Sequence, residues 1–336
     1  ISYHLLPLKK SMINKDDNKK GEFLTEDKNI RIDLYLFNYF NSYSRTKIKN
    51  HILNGNILVN NNKISPSYLL KGNENISYDF TTSIKTNKLI PQNIDFDIIY
   101  EDEYLVVINK PTGLVVHPGN GIINGTLANA LIYKFNNLSN INQQAPGIVH
   151  RLDKETSGVM IIAKNDEVHA NLSKQFELRS IKKVYRAIVW GKIHLSGIVR
   201  GFIARDRKNR TIFSLQTKGR DSETAFKRLN FFDPISYVEL YPKTGRTHQI
   251  RVHMKSISNP IICDENYGGG LNKIKSYHIK HTKTLQKLFN SINRVALHAY
   301  SIEFNHPVKN EKNKFIAPIP KDIDYILNIL KESENV

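Results

Sequence analysis

Residues Gly147–Lys164 read GIVHRLDKETSGVMIIAK, and this stretch joins two kinds of text. Val159–Ala163 is a continuous apolar run of strand length, whereas Gly147–Gly158 is polar and charged. The polar part therefore belongs to a loop held by a strand, where rigid scaffolds commonly present functional side chains. Outward from it, β-branched runs predict strands at Asp97–Tyr100, Tyr104–Asn109, Gly113–Val116, Val184–Trp190, Tyr237–Leu240 and Tyr300–Phe304. Amphipathic spacing predicts helices at Thr126–Phe135, Asp166–Arg179 and Thr247–Ser256. Strand runs outnumber helices, which gives an α+β class with a mostly antiparallel sheet.

The N-terminal quarter reads differently. Residues 1–28 mix Lys, Asp and Asn and are expected to form a flexible tail. Between 29 and 80, Ile32, Leu36, Tyr39 and Phe40 recur at helical spacing, and Ser44 is positioned to cap a second helix over Arg45–Leu53. Asn54-Gly55 ends that helix, and a strand, turn and strand follow over Asn56–Ile64. The second helix carries Arg45, Lys47 and Lys49, a pattern that suits phosphate contacts but also an ordinary solvated face. Residues 81–93 lack periodicity and read as a linker, leaving 94–336 as the larger domain.

Composition narrows the function. The chain has 336 residues with 49 Lys plus Arg against 31 Asp plus Glu, a formal charge of +18. Such an excess draws in polyanions, and nucleic acid is the leading partner. The single cysteine, Cys263, excludes an internal disulfide, a redox pair and an iron–sulfur site, and fits a reducing, cytoplasmic setting. The longest apolar runs fall far short of the ~18 residues a membrane span needs. There is no phosphate-binding glycine loop or dinucleotide fingerprint, and His248 and His253 are spaced to fall on different sides of a helix. No cofactor and no metal are therefore expected.

Two segments concentrate chemistry. Around Asp153 stand His150, Arg151 and Lys154, and nearby cations favour the charged form of a carboxylate. In Thr244–Met254, a helix starting near Thr247 buries Ile250 and Met254 and groups His248, Arg251 and Lys255, so that Arg251 can reach inward to an anion. A glycosidase using Asp153 with Glu155 is a competing reading. Two acids two residues apart, however, do not secure the ~5–9 Å carboxyl separation that chemistry requires.

The run IRIDLYLFNYFNSYSRTKIKNHILNGNILVNNNKI at 30–64 resembles the S4 RNA-binding domain. H-R-L-D-x-x-T-S-G at His150–Gly158 and G-R-T-H-Q-I-R-V-H at Gly245–His253 resemble the RluA-type pseudouridine synthases. So do E-D-x-x-L-V-V-x-N-K-P at Glu101–Pro111, V-H-P-G at Val116–Gly119, K-x-Y-x-A-x-V-W-G at Lys183–Gly191 and L-H-A at Leu297–Ala299. The P-G-I-V-H-R-L-D and D-x-x-Y-G-G strings, with the S4 module in front, look closest to RluD-like enzymes acting on large-subunit ribosomal RNA.

The resemblance implies an antiparallel-sheet catalytic domain behind a small S4-like α/β domain, and isomerisation of specific uridines to pseudouridine without a cofactor. Asp153 would be the essential carboxylate, Arg251 its partner, and Tyr185 the ring stacked on an extruded base. Arg151 would enter the RNA stack, and His150, Arg246, His248, Arg45, Lys47 and Lys49 would contact RNA. Transfer RNA as substrate, or a noncatalytic S4-type binder, are the alternatives. No membrane and no obligatory protein partner are expected. The reaction breaks N1–C1′, joins C5 to C1′ and releases the C5 proton. The target base must leave its stack for this to happen.

Overall fold

The computed structural model describes residues 19–40, 42–81, 89–119 and 121–334. They form two units, one within 1–88 and the other within 89–336. Among the described residues, no helix is long and apolar enough to cross a membrane.

The first unit runs β1 (Lys20–Thr25), β2 (Lys28–Arg31), α1 (Ile32–Tyr39), α2 (Arg45–Leu53), β3 (Ile57–Val59), β4 (Asn62–Lys63), β5 (Leu69–Lys71) and β6 (Glu74–Asp79). A sheet of order β1-β6-β3-β4 and a β2-β5 pair bury Ile32, Leu36, Phe40, Ile48, Ile52, Ile57, Leu70 and Ile76. The expected helix cap is present, with Ser44 Oγ accepting the Lys47 amide at 3.3 Å.

The expected tail needs correction. Residues 1–18 lie outside the described residues, but Lys20–Thr25 pairs with β6 from Lys20↔Asp79 to Thr25↔Glu74. Phe23 stacks on Tyr39 at 4.2 Å. A strand with one inward aromatic and a partner some fifty residues away leaves little local periodicity to read.

Asp33 organises the basic side of this unit. Its carboxylate is fully buried and takes Arg31 Nε at 3.0 Å, Arg45 Nη2 at 2.9 Å and Lys49 Nζ at 3.6 Å. Burial works against its charge, but the Arg31 and Arg45 guanidiniums outweigh that and hold the carboxyl below its usual range. The stabilisation is therefore complete above the unfolded-state value of about 3.9 and disappears as pH falls through the lower folded value. Asp33→Asn is expected to cost this unit about 2 kcal/mol through lost charged hydrogen bonds. The effect should appear at neutral pH as faster amide exchange in α1 and α2, and unchanged exchange would contradict it.

The second unit runs β7 (Asp97–Glu101), β8 (Leu105–Lys110), α3 (Leu127–Lys134), β9 (Ser157–Ala163), α4 (Asp166–Glu177), β10 (Lys182–Trp190), β11 (Ser196–Arg205), β12 (Phe213–Gln216), β13 (Arg220–Phe232) and β14 (Ile235–Pro242). There follow α5 (Gln249–Ser256), three short 3-10 turns, α6 (Thr282–Ser291), β15 (Leu297–Asn305), β16 (Lys312–Ile316) and α7 (Lys321–Glu334). The sheet order is β12-β11-β13-β14-β10-β15-β9-β8-β7, with β16 also on β15. Among the described residues, β15 and β9 are the one strand pair that runs parallel, so the α+β, mostly antiparallel class holds.

Several local expectations change. Gly113–Val116 makes a single bridge, Val115↔Thr126, rather than a strand. Strands β11, β12, β13 and β16 and helix α7 fall outside the runs read above as strands and helices, and the sequence leaves α6 open between an insertion and an RNA-facing helix. In α6, at the lysine-rich stretch 272–293, the spacing of Leu285 and Leu288 seats the helix on the core. Of the expected linker 81–93, residues 82–88 lie outside the described residues. Ile90 and Gln92 are fastened to α3, Asn129 Nδ2 donating to Ile90 O at 2.8 Å and the Gln92 amide to Asn129 O at 3.1 Å.

The core has two halves. One gathers Ile188, Trp190, Leu240, Met254, Leu288 and Leu330, and the other Leu105–Ile108, Leu131, Met160–Ile162 and Phe304. Tyr185 packs against both, at the seam beside the parallel β15-β9 junction. Gly158 lies at that junction with φ 119°, and a Cβ there would run into the Ala299 carbonyl. The glycine of T-S-G thus allows the two strands to meet where the loop carrying Asp153 enters the sheet.

Candidate active site

The loop before β9 is fastened through its backbone. Lys110, fully buried at the end of β8, donates from Nζ to the carbonyls of Pro111 at 2.7 Å, Leu114 at 3.0 Å and Lys154 at 3.3 Å. Burial lowers its pKa to about 7. The Gly113 amide also donates to Lys154 O at 2.9 Å, and Thr112 Oγ1 to Glu155 O at 2.9 Å. With Leu152 buried beneath it, Asp153 is held on its flank by both neighbours, and its side chain is 23 % exposed. That is enough for a substrate to reach it.

The wall facing this loop comes from the start of α5. Gln249 is buried and uses both ends of its amide. Its Oε1 accepts from Thr244 Oγ1 at 2.6 Å and the Arg246 amide at 3.0 Å, and its Nε2 donates to Glu223 O and Thr224 Oγ1. This clamps the Thr244–His248 turn to β13. Two residues further on, Arg251 is buried and reaches two acids. It forms a two-pronged pair with Asp264, Nε to Oδ2 at 2.7 Å and Nη2 to Oδ1 at 2.8 Å, and points Nη1 at Asp153 Oδ2 from 3.6 Å. Burial opposes its charge, but Asp264, and beyond it Asp153, hold it above the usual guanidinium range.

The sequence paired Arg251 with Asp153. The structure gives that role first to Asp264, which is fully buried, with Asp153 at a longer reach. The signal was present in the D-x-x-Y-G-G string, whose first residue is Asp264 and whose tyrosine is Tyr267.

Asp153, Tyr185, Arg251, Arg151, Arg246 and His248 line one pocket. Burial, reinforced by the Asp153 charge, pushes the Tyr185 phenol above its ordinary range, so it stays protonated. Arg246 is braced by its Nε bond to Asp221 O at 3.0 Å. Lys183, two residues before Tyr185 on β10, also lines the pocket. Its ammonium has no hydrogen-bond partner among the described residues, and burial, with Arg179 nearby, lowers its pKa to about 8. A partly desolvated cation without an acceptor is suited to an anionic ligand. Lys183 lay inside the quoted K-x-Y string, but nothing local marked it as inward-facing.

His150 is the expected site residue that the structure removes from the pocket. Its Nε2 accepts the Ile161 amide at 2.9 Å and its ring lies against Phe176 at 4.7 Å. Burial lowers it to about 3, so its Nε2 is a neutral internal acceptor. His253 is likewise occupied, between Ser222 Oγ and Thr224 Oγ1 at 2.9 Å each. Arg45 and Lys49 remain partly exposed around Asp33 in the first unit, and Lys47 lies over the Tyr43 ring at 4.6 Å.

Comparison with known proteins agrees with this geometry. The RNA pseudouridylate synthase family matches residues 104–256, and the S4 domain matches residues 30–76. Ribosomal large subunit pseudouridine synthase D of Blochmanniella floridana is 39% identical over 90% of this chain and 95% of its own. The protein of the same name from Xanthomonas campestris pv. campestris is 36% identical over 90% and 89%. Among solved structures, human RNA pseudouridylate synthase domain containing 4 superimposes with a TM-score of 0.54 at 28% identity, covering 70% of this chain and 93% of that one. With a shared fold, the H-R-L-D and G-R-T-H-Q-I-R strings brought to one pocket, and relatives of this identity along nearly its whole length, the chain belongs to the RNA pseudouridylate synthase family.

Proposed function

We propose that this chain isomerises specific uridines of large-subunit ribosomal RNA, in the cytoplasm and without an obligatory protein partner, and that Asp153 is the carboxylate that acts on the extruded nucleotide. The observation that carries the reading is the setting of Asp153. It is a reachable acid whose counter-charge, Arg251, is held rigidly by a second acid, in a pocket lined by a protonated tyrosine. A fixed guanidinium orients the carboxylate without being consumed.

Tyr185 offers an aromatic face to the flipped base, Arg151 enters the space the base vacates, and Arg246 and Lys183 meet phosphate oxygens. Residues 29–80, extended by β1, supply a separate RNA contact through Arg45, Lys47 and Lys49, and 94–336 carries the chemistry. Large-subunit RNA is favoured by the names of the relatives, and RNA in general by the S4 match and the +18 charge.

The purified chain, without added metal or nucleotide, is expected to release tritium from C5-labelled uridine in a large-subunit ribosomal RNA fragment, and to release far less from transfer RNA. Binding without release would leave a noncatalytic RNA binder. Equal release from transfer RNA would overturn the substrate assignment alone.

A further inference from the structure

His248 is the N-cap of α5 and sits in left-handed backbone, φ 55°, a conformation that side-chain-bearing residues adopt rarely and often at functional sites. There its Nδ1 lies 2.8 Å from the Tyr267 hydroxyl and its Nε2 lies 3.9 Å from Asp153 Oδ2. Tyr267 is 1% exposed, and its oxygen accepts the Phe213 amide, from the start of β12, at 3.0 Å. Among the described residues the phenol proton has one acceptor in reach, His248 Nδ1. A buried hydroxyl proton left unpaired is costly, so it goes there.

With Nδ1 accepting, the neutral imidazole carries its proton on Nε2, the nitrogen turned toward Asp153. The groups around the ring agree. Burial lowers His248 below its ordinary value, and Arg251 and Arg151 push the same way, while Asp153 and Asp264 oppose them. Burial also raises Tyr267 to about 12, so it keeps the proton it donates.

We propose that Tyr267 sets the tautomer of His248 so that Nε2–H, together with Arg251 Nη1, engages Asp153 Oδ2 and leaves Oδ1 free for the nucleotide. Tyr267 and His248 are thus positioning residues for the carboxylate. Both donors stand at more than hydrogen-bond distance, 3.9 and 3.6 Å, the loose geometry common in free enzymes that tightens when substrate binds. The inference rests on Asp153 being the reacting acid.

The test uses the full chain in single-turnover tritium release. Gln at 248 places an amide N–H where Nε2–H stands, whereas Asn reaches only as far as Nδ1. His248→Gln should stay within about threefold of the parent rate, and His248→Asn should fall at least about thirtyfold, since one charged hydrogen bond in the transition state is worth roughly that factor. Tyr267→Phe should slow the step about tenfold with the half-saturating RNA concentration unchanged.

Nitrogen-15 correlation of the His248 ring in the parent protein should show the Nε2–H form, and Tyr267→Phe should lose that bias. A Nδ1–H or charged ring in the parent, or equal rates for Gln and Asn, overturns the proposal while leaving the role of Asp153 standing. Turnover retained by an Asp153 variant would instead overturn the reading on which the proposal rests. Should Tyr267→Phe fail to fold, the parent spectrum and the His248 pair still decide.

Discussion

Asp153→Asn is expected to reduce tritium release from the RNA substrate by at least about 10⁴-fold, the scale of losing a reacting carboxylate. RNA affinity should stay within about twofold, because phosphate and stacking contacts carry binding and none depends on this acid. Stability should change little. Asp153 is partly exposed, and its removal does not strand Arg251, whose two-pronged pair with Asp264 persists. Asparagine keeps the shape of the side chain and cannot carry the charge, so loss of rate with fold and affinity intact isolates the chemical role. Filter binding, a melting curve and single-turnover release on one preparation make the measurement. Turnover within tenfold of the parent would exclude Asp153 from the reaction.

The second large effect is expected at Asp264, which touches no substrate. Asp264→Asn leaves the Arg251 guanidinium buried with Asp153, at 3.6 Å, as its remaining counter-charge among the described residues, and breaking one side of a buried pair costs about 3–5 kcal/mol. The freed guanidinium should also swing toward Asp153 and displace it, and misplacement by about 1 Å can cost about 10²-fold in rate. Urea unfolding and single-turnover release together should show both losses.

Replacing the pair by apolar groups, Arg251→Met with Asp264→Leu, should restore much of the stability, since no uncompensated charge remains, and none of the turnover. Arg251→Lys should lose turnover more than affinity, because a point charge cannot serve both acids as the planar fork does. Recovery of turnover in the apolar double variant would show that the pair only stabilises the fold.

The contrast between His150 and Asp264 shows what could be read beforehand. Both stand in strings quoted from the sequence, where the resemblance implies an RNA contact for His150 and gives Asp264 no role. His150 neighbours the reactive acid in the chain, but its Nε2 serves the Ile161 amide. Asp264 is thirteen residues from Arg251 and meets it only because the segment after α5 folds back beneath that helix. Linear proximity reports which residues share a loop, not which way a side chain turns.

The same limit governed the secondary structure. Ile32, Leu36 and Phe40, or the run Val159–Ala163, announce themselves because apolar side chains recur at the period of the element. In β13 the buried Ser222, Thr224 and Phe226 alternate with Asp221, Glu223, Ala225 and Lys227, and with two of the three buried positions polar the apolar period does not show.

Taken alone, the sequence determined the α+β class, the two-part organisation with a basic helix in the first part, and some of the residues that line the pocket, among them Asp153, Tyr185, Arg246, His248 and Arg251. These depend on local periodicity, charge and spacing, which a linear string carries in full. Only the tertiary structure decided that Asp264 rather than Asp153 is the first partner of Arg251, that His150 is an internal acceptor, and that Tyr267 and Phe213 reach His248. The physical reason is that burial and hydrogen-bond direction are set where distant segments pack together, and no single stretch of the chain contains that information.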